Sequence, residues 1–328
     1  MPGLLPSVLD AAPYREQLLD LIAGGPPADA METDRGISRL ANLAQRLPEA
    51  LRDRLLEFKA HSNDAGALLI RGLPIGANLP PTPIDKRANR HVDTTAASGL
   101  GMVASLLGEM FSYAQLDGGA LFRSVFPVPS EQWEQSSKGS RTALLLHTEQ
   151  TFHRYRPRYL MLLCLRGDPA AQTTLAPVSA ILSQLSALER EALARREYVT
   201  GIDYAFGNTH TTKGNGAVLP ILGGNEENPV LSFDEDLMVG ANREASRMLE
   251  RFAAVARAST IDVCLESGEL LIVDNNRVAH GRTPFVPRFD GADRWLMQMK
   301  TLDALPPIGP HRKAGTRLVC TQFEASRG

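Results

Sequence analysis

Four residues carry the chemical signal of this chain: His147, Glu149, His280 and Arg294. His147 and Glu149 stand two apart in LLLHTEQTF (residues 144–152), at the end of an apolar run that reads as a strand. Side chains two apart in a strand leave it on the same face, so an imidazole and a carboxylate point together into one cavity. Alone, such a pair is common at protein surfaces. The segment GELLIVDNNRVAHGRTPF (residues 268–285) adds to it: a buried-strand pattern, a turn at 274–276, then His280 backed by Gly281. Two histidines and one carboxylate can hold a non-haem Fe(II) by one face and leave three coordination positions open. Two of these suit a bidentate 2-oxo acid and the third suits O2. Arg294, fourteen residues beyond His280 at the head of RWLMQMKTL, suits the far carboxylate of 2-oxoglutarate through a pair of charge-assisted hydrogen bonds.

The elements that must position these residues are short strands. After a helical stretch over the first sixty residues, with a periodic run from Ile37 to Leu47 and a second helix at 49–59, residues 67–74 read as a strand and 96–110 as a helix. Strand-like runs follow at 143–147, 159–165, 173–178, 217–222, 230–233, 260–265, 269–274 and 294–302, interrupted by helical inserts near 179–195 and 241–256. Most consecutive strands lack the intervening helix that a parallel doubly wound sheet requires. The pattern predicts a mainly β fold with added helices, a distorted double-stranded β-helix (jelly roll). We expect a single domain in which residues 1–66 form a helical buttress, 67–302 the core and 303–328 a C-terminal tail.

Composition narrows the function classes. Lys plus Arg number 35 against 37 Asp plus Glu, for a net charge of −2, which excludes a global basic field for nucleic acid. The cluster Arg154, Arg156 and Arg158 reads as a solvated loop, as does the neighbouring His153. No apolar run approaches the ~20 residues of a membrane span, and no secretory leader is evident. Three unpaired-looking cysteines fit a reducing cytoplasm; Cys164 and Cys264 sit in apolar runs and read as small core hydrophobes.

HTEQTFHRYRPRYLMLLCLRGD, LLIVDNNRVAHGRTPF and PRFDGADRW resemble the clavaminate synthase-like branch of Fe(II)/2-oxoglutarate oxygenases, which includes free arginine, lysine and asparagine hydroxylases. The likeness runs from about residue 67 to 302. It implies a jelly-roll core, His147, Glu149 and His280 as metal ligands, Arg294 on the 2-oxoglutarate carboxylate, and Thr174 on that same carboxylate. It further implies oxidation of an unactivated carbon in specialised metabolism, with hydroxylation the default and desaturation, ring closure and epoxidation left open, since substrate placement decides among them. Glu149 itself disfavours halogenation, which needs that coordination position vacated.

The resemblance leaves the substrate open. Where the amino-acid hydroxylases of the branch carry an Arg for the substrate carboxylate, four residues after the oxoglutarate Arg, this chain has Gln298; a family Gln position before the metal motif carries Arg123. Either the charge has moved to Arg123, or the substrate has no free carboxylate, as in a cyclic dipeptide or another amidated amino-acid derivative; a third reading has Arg123 simply solvated. Asp234 and Asp236 match a stretch that faces a substrate cation in the basic-amino-acid hydroxylases, though they equally suit a turn and helix cap. Gln135, Ser137 and Ser140 fall where the family lines its pocket, and Phe152 and Trp295 read as core or pocket wall. Residues 207–216, rich in Gly, Asn and Thr, form a candidate lid. Two readings outside oxygenase chemistry stand beside these: a zinc hydrolase on the same three ligands, and a jelly-roll binding protein without turnover. The oligomeric state is not legible.

Overall fold

Every residue of the strand Tyr159–Arg166 is buried except the last, because both of its faces are covered. Tyr159, Met161, Leu163 and Leu165 point into a layer shared with helices, while Leu160, Leu162 and Cys164 point into a layer between two sheets. The computed structural model describes residues 4–85, 93–203, 206 and 213–320.

The larger sheet has seven strands, ordered Ser7–Asp10, Ala67–Arg71, Leu270–Asp274, Tyr159–Arg166, Trp295–Leu302 and Glu109–Met110, with Arg123–Val125 also paired to Trp295–Leu302. The smaller has four: Ile261–Val263, Thr173–Pro177, Val278–Arg282 and Leu144–His147. All of these pairings are antiparallel except that of Ser7–Asp10 with Ala67–Arg71. Leu175, Val263 and Val278 of the smaller sheet meet Leu162, Leu271 and Leu296 of the larger one.

The helix Thr94–Leu107 is buried on nearly all sides. It lies between the larger sheet and the helices Arg15–Ala23, Asp34–Ala44 and Glu49–His61. Gly101 permits that closeness, since a Cβ there would come within 2.6 Å of Leu40 Cδ1. On the outer face of the smaller sheet, the helix Arg243–Ala258 packs Phe252 against Phe233, with ring centroids 4.9 Å apart. Among the described residues no helix is long and apolar enough to cross a membrane.

Several expectations need correction. Residues 7–10, read within a helical stretch, form an edge strand too short for periodicity to reveal. The helix expected over 96–110 stops at Leu107, where Gly108 turns the chain so that Glu109–Met110 joins the sheet. The insert at 179–195 is two helices, Val178–Leu182 and Ala187–Leu193, because Ser186 and Glu189 form a capping box between them. The run 217–222 is broken into Val218–Leu219 and Leu222–Gly224. Cys164 is buried as expected, but Cys264 lies beyond the end of its strand and is exposed.

Candidate active site

His147 ends the strand Leu144–His147, and His280 is its direct partner across the antiparallel ladder. The two rings therefore project together, with centroids 4.4 Å apart. The strand Val278–Arg282 that carries His280 was not foreseen, because Gly281 and Arg282 conceal its apolar pattern. Gly281 is required there: a Cβ would come within 2.4 Å of the Leu144 carbonyl oxygen.

Glu149 lies just past the strand end, and Asn275 fixes its backbone. The Glu149 N–H donates to Asn275 Oδ1 (2.6 Å), and Asn275 Nδ2 donates to the carbonyls of Glu149 (3.1 Å) and Pro157 (2.9 Å). Glu149 Oε2 then stands 3.7 Å from His147 Nε2 and 3.5 Å from His280 Nε2. Three donor atoms, one from each residue, lie within 4.8 Å of one another. Donors cis to one another on a metal with bonds of about 2.1 Å stand about 3 Å apart, so the trio would close in by about half an ångström or more to hold a single ion. His147 Nδ1 lies 2.9 Å from the Leu145 carbonyl, an arrangement that leaves Nε2 as the ligand atom.

Glu149 dominates the electrostatics of the trio, and a metal at His147 Nε2 would have to displace a proton. Burial opposes a charge on His147, but the hydrogen bond and charge of Glu149, with Asp234, outweigh it and raise the imidazole to about 8. Burial also opposes the Glu149 charge, yet Lys300 and the two imidazoles hold this carboxylate well below its usual range. Burial, with His147 beside it, lowers His280.

A cavity of about 380 Å³ opens onto the trio, and Arg294 lines it. Arg294 is 7% exposed, and among the described residues it has no carboxylate partner. Burial lowers its guanidinium to about 10, so it stays charged at neutral pH. Its Nη2 donates to Thr173 Oγ1 at 3.1 Å. Thr173, not Thr174, is thus the threonine beside this arginine. Strand alternation turns Thr174 away, and its hydroxyl donates to Asp262 Oδ1 (2.8 Å) on the neighbouring strand. Thr173→Val should raise the KM for 2-oxoglutarate about 3- to 10-fold, the worth of one net hydrogen bond, while Thr174→Val should leave it unchanged; steady-state kinetics of both variants checks this.

Arg123 and Gln298 also line the cavity and are direct ladder partners. Arg123 Nη1 donates to Gln298 Oε1 (3.0 Å), Nη2 donates to Ser137 Oγ (3.0 Å), and Nε is bonded to Asp117. Lys138 Nζ reaches the same Asp117 carboxylate at 2.7 Å. Arg123 is therefore no solvated side chain.

Asp234 and Asp236 are in the cavity wall as well, with Gln135 and Phe152. Asp234 Oδ1 also accepts the N–H groups of Asp236 and Leu237, so its turn-capping role is real. Asp236 lies 3.6 Å from Lys213 Nζ. Ser140 is not in that wall. It is fully buried behind it, where its carbonyl accepts from Arg282 Nη1. Trp295 is core, its Nε1 donating to Ser124 Oγ. The lid expected at 207–216 lies outside the described residues over 207–212.

Two further expectations fail. His153 is 3% exposed among Tyr113 and Phe206, and burial, with Lys300 adding to it, pushes its imidazole down to about 3. Arg156 and Arg158 are fasteners rather than solvated groups: Arg156 donates to Ser232, Leu231 and Asn276, and Arg158 to Asp274. The sequence reading missed Asn275, Arg282 and Lys300. Arg282 had a legible signal, since it stands two residues after His280 and shares its face.

A family model described as "Taurine catabolism dioxygenase TauD, TfdA family" matches residues 36–300. The chain is 34% identical to an L-lysine 3-hydroxylase of Catenulispora acidiphila, over 86% of this chain and 78% of that one. It is 33% identical to clavaminate synthase 2 of Streptomyces clavuligerus, over 88% and 90% of the two chains. Among solved structures, an asparagine oxygenase in complex with Fe(II), 2S,3S-3-hydroxyasparagine and succinate superposes with a TM-score of 0.87 at 31% identity, covering 96% of this chain and 99% of that one.

Proposed function

Since this chain belongs to the taurine catabolism dioxygenase TauD, TfdA family, we propose that it is an Fe(II)- and 2-oxoglutarate-dependent hydroxylase of a free amino acid, in specialised metabolism. The observation that carries this reading is Arg294: a buried guanidinium without a carboxylate partner among the described residues, in the cavity that also holds His147, Glu149 and His280. Burying a charge without a counter-ion is costly, and an anionic co-substrate supplies one. His147, Glu149 and His280 would hold Fe(II), which supplies the activation of O2 coupled to oxidative decarboxylation of 2-oxoglutarate. Arg294, with Thr173 beside it, fixes the far carboxylate of 2-oxoglutarate and so orients its oxo-acid end toward the trio. The two facing sheets read as the distorted double-stranded β-helix of the fold class, within one domain. Three free cysteines suit a cytoplasmic location.

For the substrate, we assign the α-carboxylate to Arg123. Arg123, Lys138 and Asp117 together carry a net charge of plus one, with Gln298 and Ser137 completing the cradle. Asp234 and Asp236, in the same cavity, suit the cationic end of a Lys- or Arg-like side chain. The test is succinate release with L-lysine, L-arginine and L-asparagine set against cyclic dipeptides. Free amino acids should support turnover. Turnover on cyclic dipeptides alone would move the reading to a substrate without a carboxylate.

A further inference from the structure

We propose that Lys300 is a positioning residue that occupies one oxygen of Glu149, so that this carboxylate offers a metal a single bond. The inference rests on the iron reading above. Lys300 lies on the strand Trp295–Leu302 with the parity of Leu296 and Gln298, which puts it on the inward face. It is nevertheless absent from the cavity wall: it sits behind Glu149 and is 5% exposed. Its Nζ lies 2.6 Å from Glu149 Oε1 and 3.1 Å from Gln150 Oε1, and 5.7 Å from the centre of the Tyr113 ring. Two oxygen acceptors and an aromatic face surround the ammonium.

The division of labour between the two Glu149 oxygens is specific. Oε1 belongs to Lys300, and Oε2 is the atom that faces His147 Nε2 and His280 Nε2. An ion pair serving only to balance buried charge has no need of that division. A metal site for 2-oxoglutarate and O2 does. With one carboxylate oxygen engaged, a metal held here would keep three positions open, two for the oxo acid and one for O2. With both engaged, the place for O2 would be lost. Lys300 also fastens the turn itself, since Gln150 sits at φ 45°, a left-handed conformation that a residue with a side chain holds only when its surroundings enforce it. Asn275 holds the Glu149 backbone and Lys300 its side chain, so the ligand is fixed at two points.

The experiment compares the wild type with Lys300→Met, which removes the donors, and Lys300→Gln, which keeps an N–H for Oε1 without the charge. Fe(II) affinity is measured by anaerobic equilibrium titration. Nitric oxide, a probe of the O2 position, is then titrated into the Fe(II)–2-oxoglutarate enzyme and followed by electron paramagnetic resonance. We expect Lys300→Met to bind Fe(II) about 10- to 100-fold more weakly and to give a smaller nitric oxide signal at saturating iron, with Lys300→Gln between it and the wild type. A folded Lys300→Met with wild-type iron affinity and nitric oxide signal would overturn the inference and leave Lys300 as charge balance. Should Lys300→Met fail to fold, Lys300→Gln decides: a smaller nitric oxide signal at saturating iron supports the inference and a wild-type signal overturns it. A wild type that binds no Fe(II) would overturn the oxygenase reading, and this inference with it.

Discussion

Replacing Arg294 with methionine should raise the Kd for 2-oxoglutarate about 100-fold or more while leaving the apo protein at least as stable as before. Removing one partner of a buried charge pair costs about 2–5 kcal/mol of binding, and on the proposed assignment the pair forms only when the co-substrate arrives. Without it, Arg294 is a desolvated guanidinium whose polar contact among the described residues is Thr173. Its cost is carried by the folded protein and recovered on binding, an arrangement in which function and stability oppose each other. Binding titrations and thermal unfolding of the same variant check both halves. Lower stability together with intact 2-oxoglutarate binding would mean that Arg294 serves the fold.

The second large effect concerns the substrate cradle. Arg123→Gln should lower kcat/KM for a carboxylate-bearing amino acid by about 30-fold or more, the cost of losing a partly buried charge partner. It should leave the KM for 2-oxoglutarate near its wild-type value. Arg123 and Gln298 are ladder partners whose side chains already touch, so the exchange Arg123→Gln with Gln298→Arg returns a guanidinium to nearly the same place from the other strand. That double variant should recover much of the loss. Kinetics on the two single variants and the double one form a complete cycle. Equal losses in single and double variants would show that the strand of origin matters, or that the substrate has no carboxylate to hold.

The grouping of the candidate site residues was legible because they sit at strand spacings. His147 and Glu149 stand two apart, and His280 and Arg294 flank the next turn and strand. Parity within a strand was harder to read. Family likeness pointed to Thr174, but TTLAP is polar at both candidate positions, and only the pairing of Thr174 with Asp262 shows which hydroxyl faces outward. Lys300 was passed over in RWLMQMKTL, although a lone lysine at the inward parity of a buried strand is itself a signal. His153, Arg156 and Arg158 looked like a solvated basic loop. Their partners, such as Ser232 and Asp274, lie far along the chain, beyond the reach of any local pattern. The fold was read more easily where strands are buried on both faces, as at Tyr159–Arg166, than at short edges such as Ser7–Asp10.

The most direct test of the central claim is succinate formation by anaerobically loaded Fe(II) enzyme given 2-oxoglutarate, O2 and a free amino acid, with Glu149→Ala beside it. The account predicts one succinate for each product that has gained one oxygen atom, dependent on both Fe(II) and 2-oxoglutarate, with the variant reduced to background. Metal-dependent hydrolysis without 2-oxoglutarate, or equal succinate from wild type and Glu149→Ala, would contradict it.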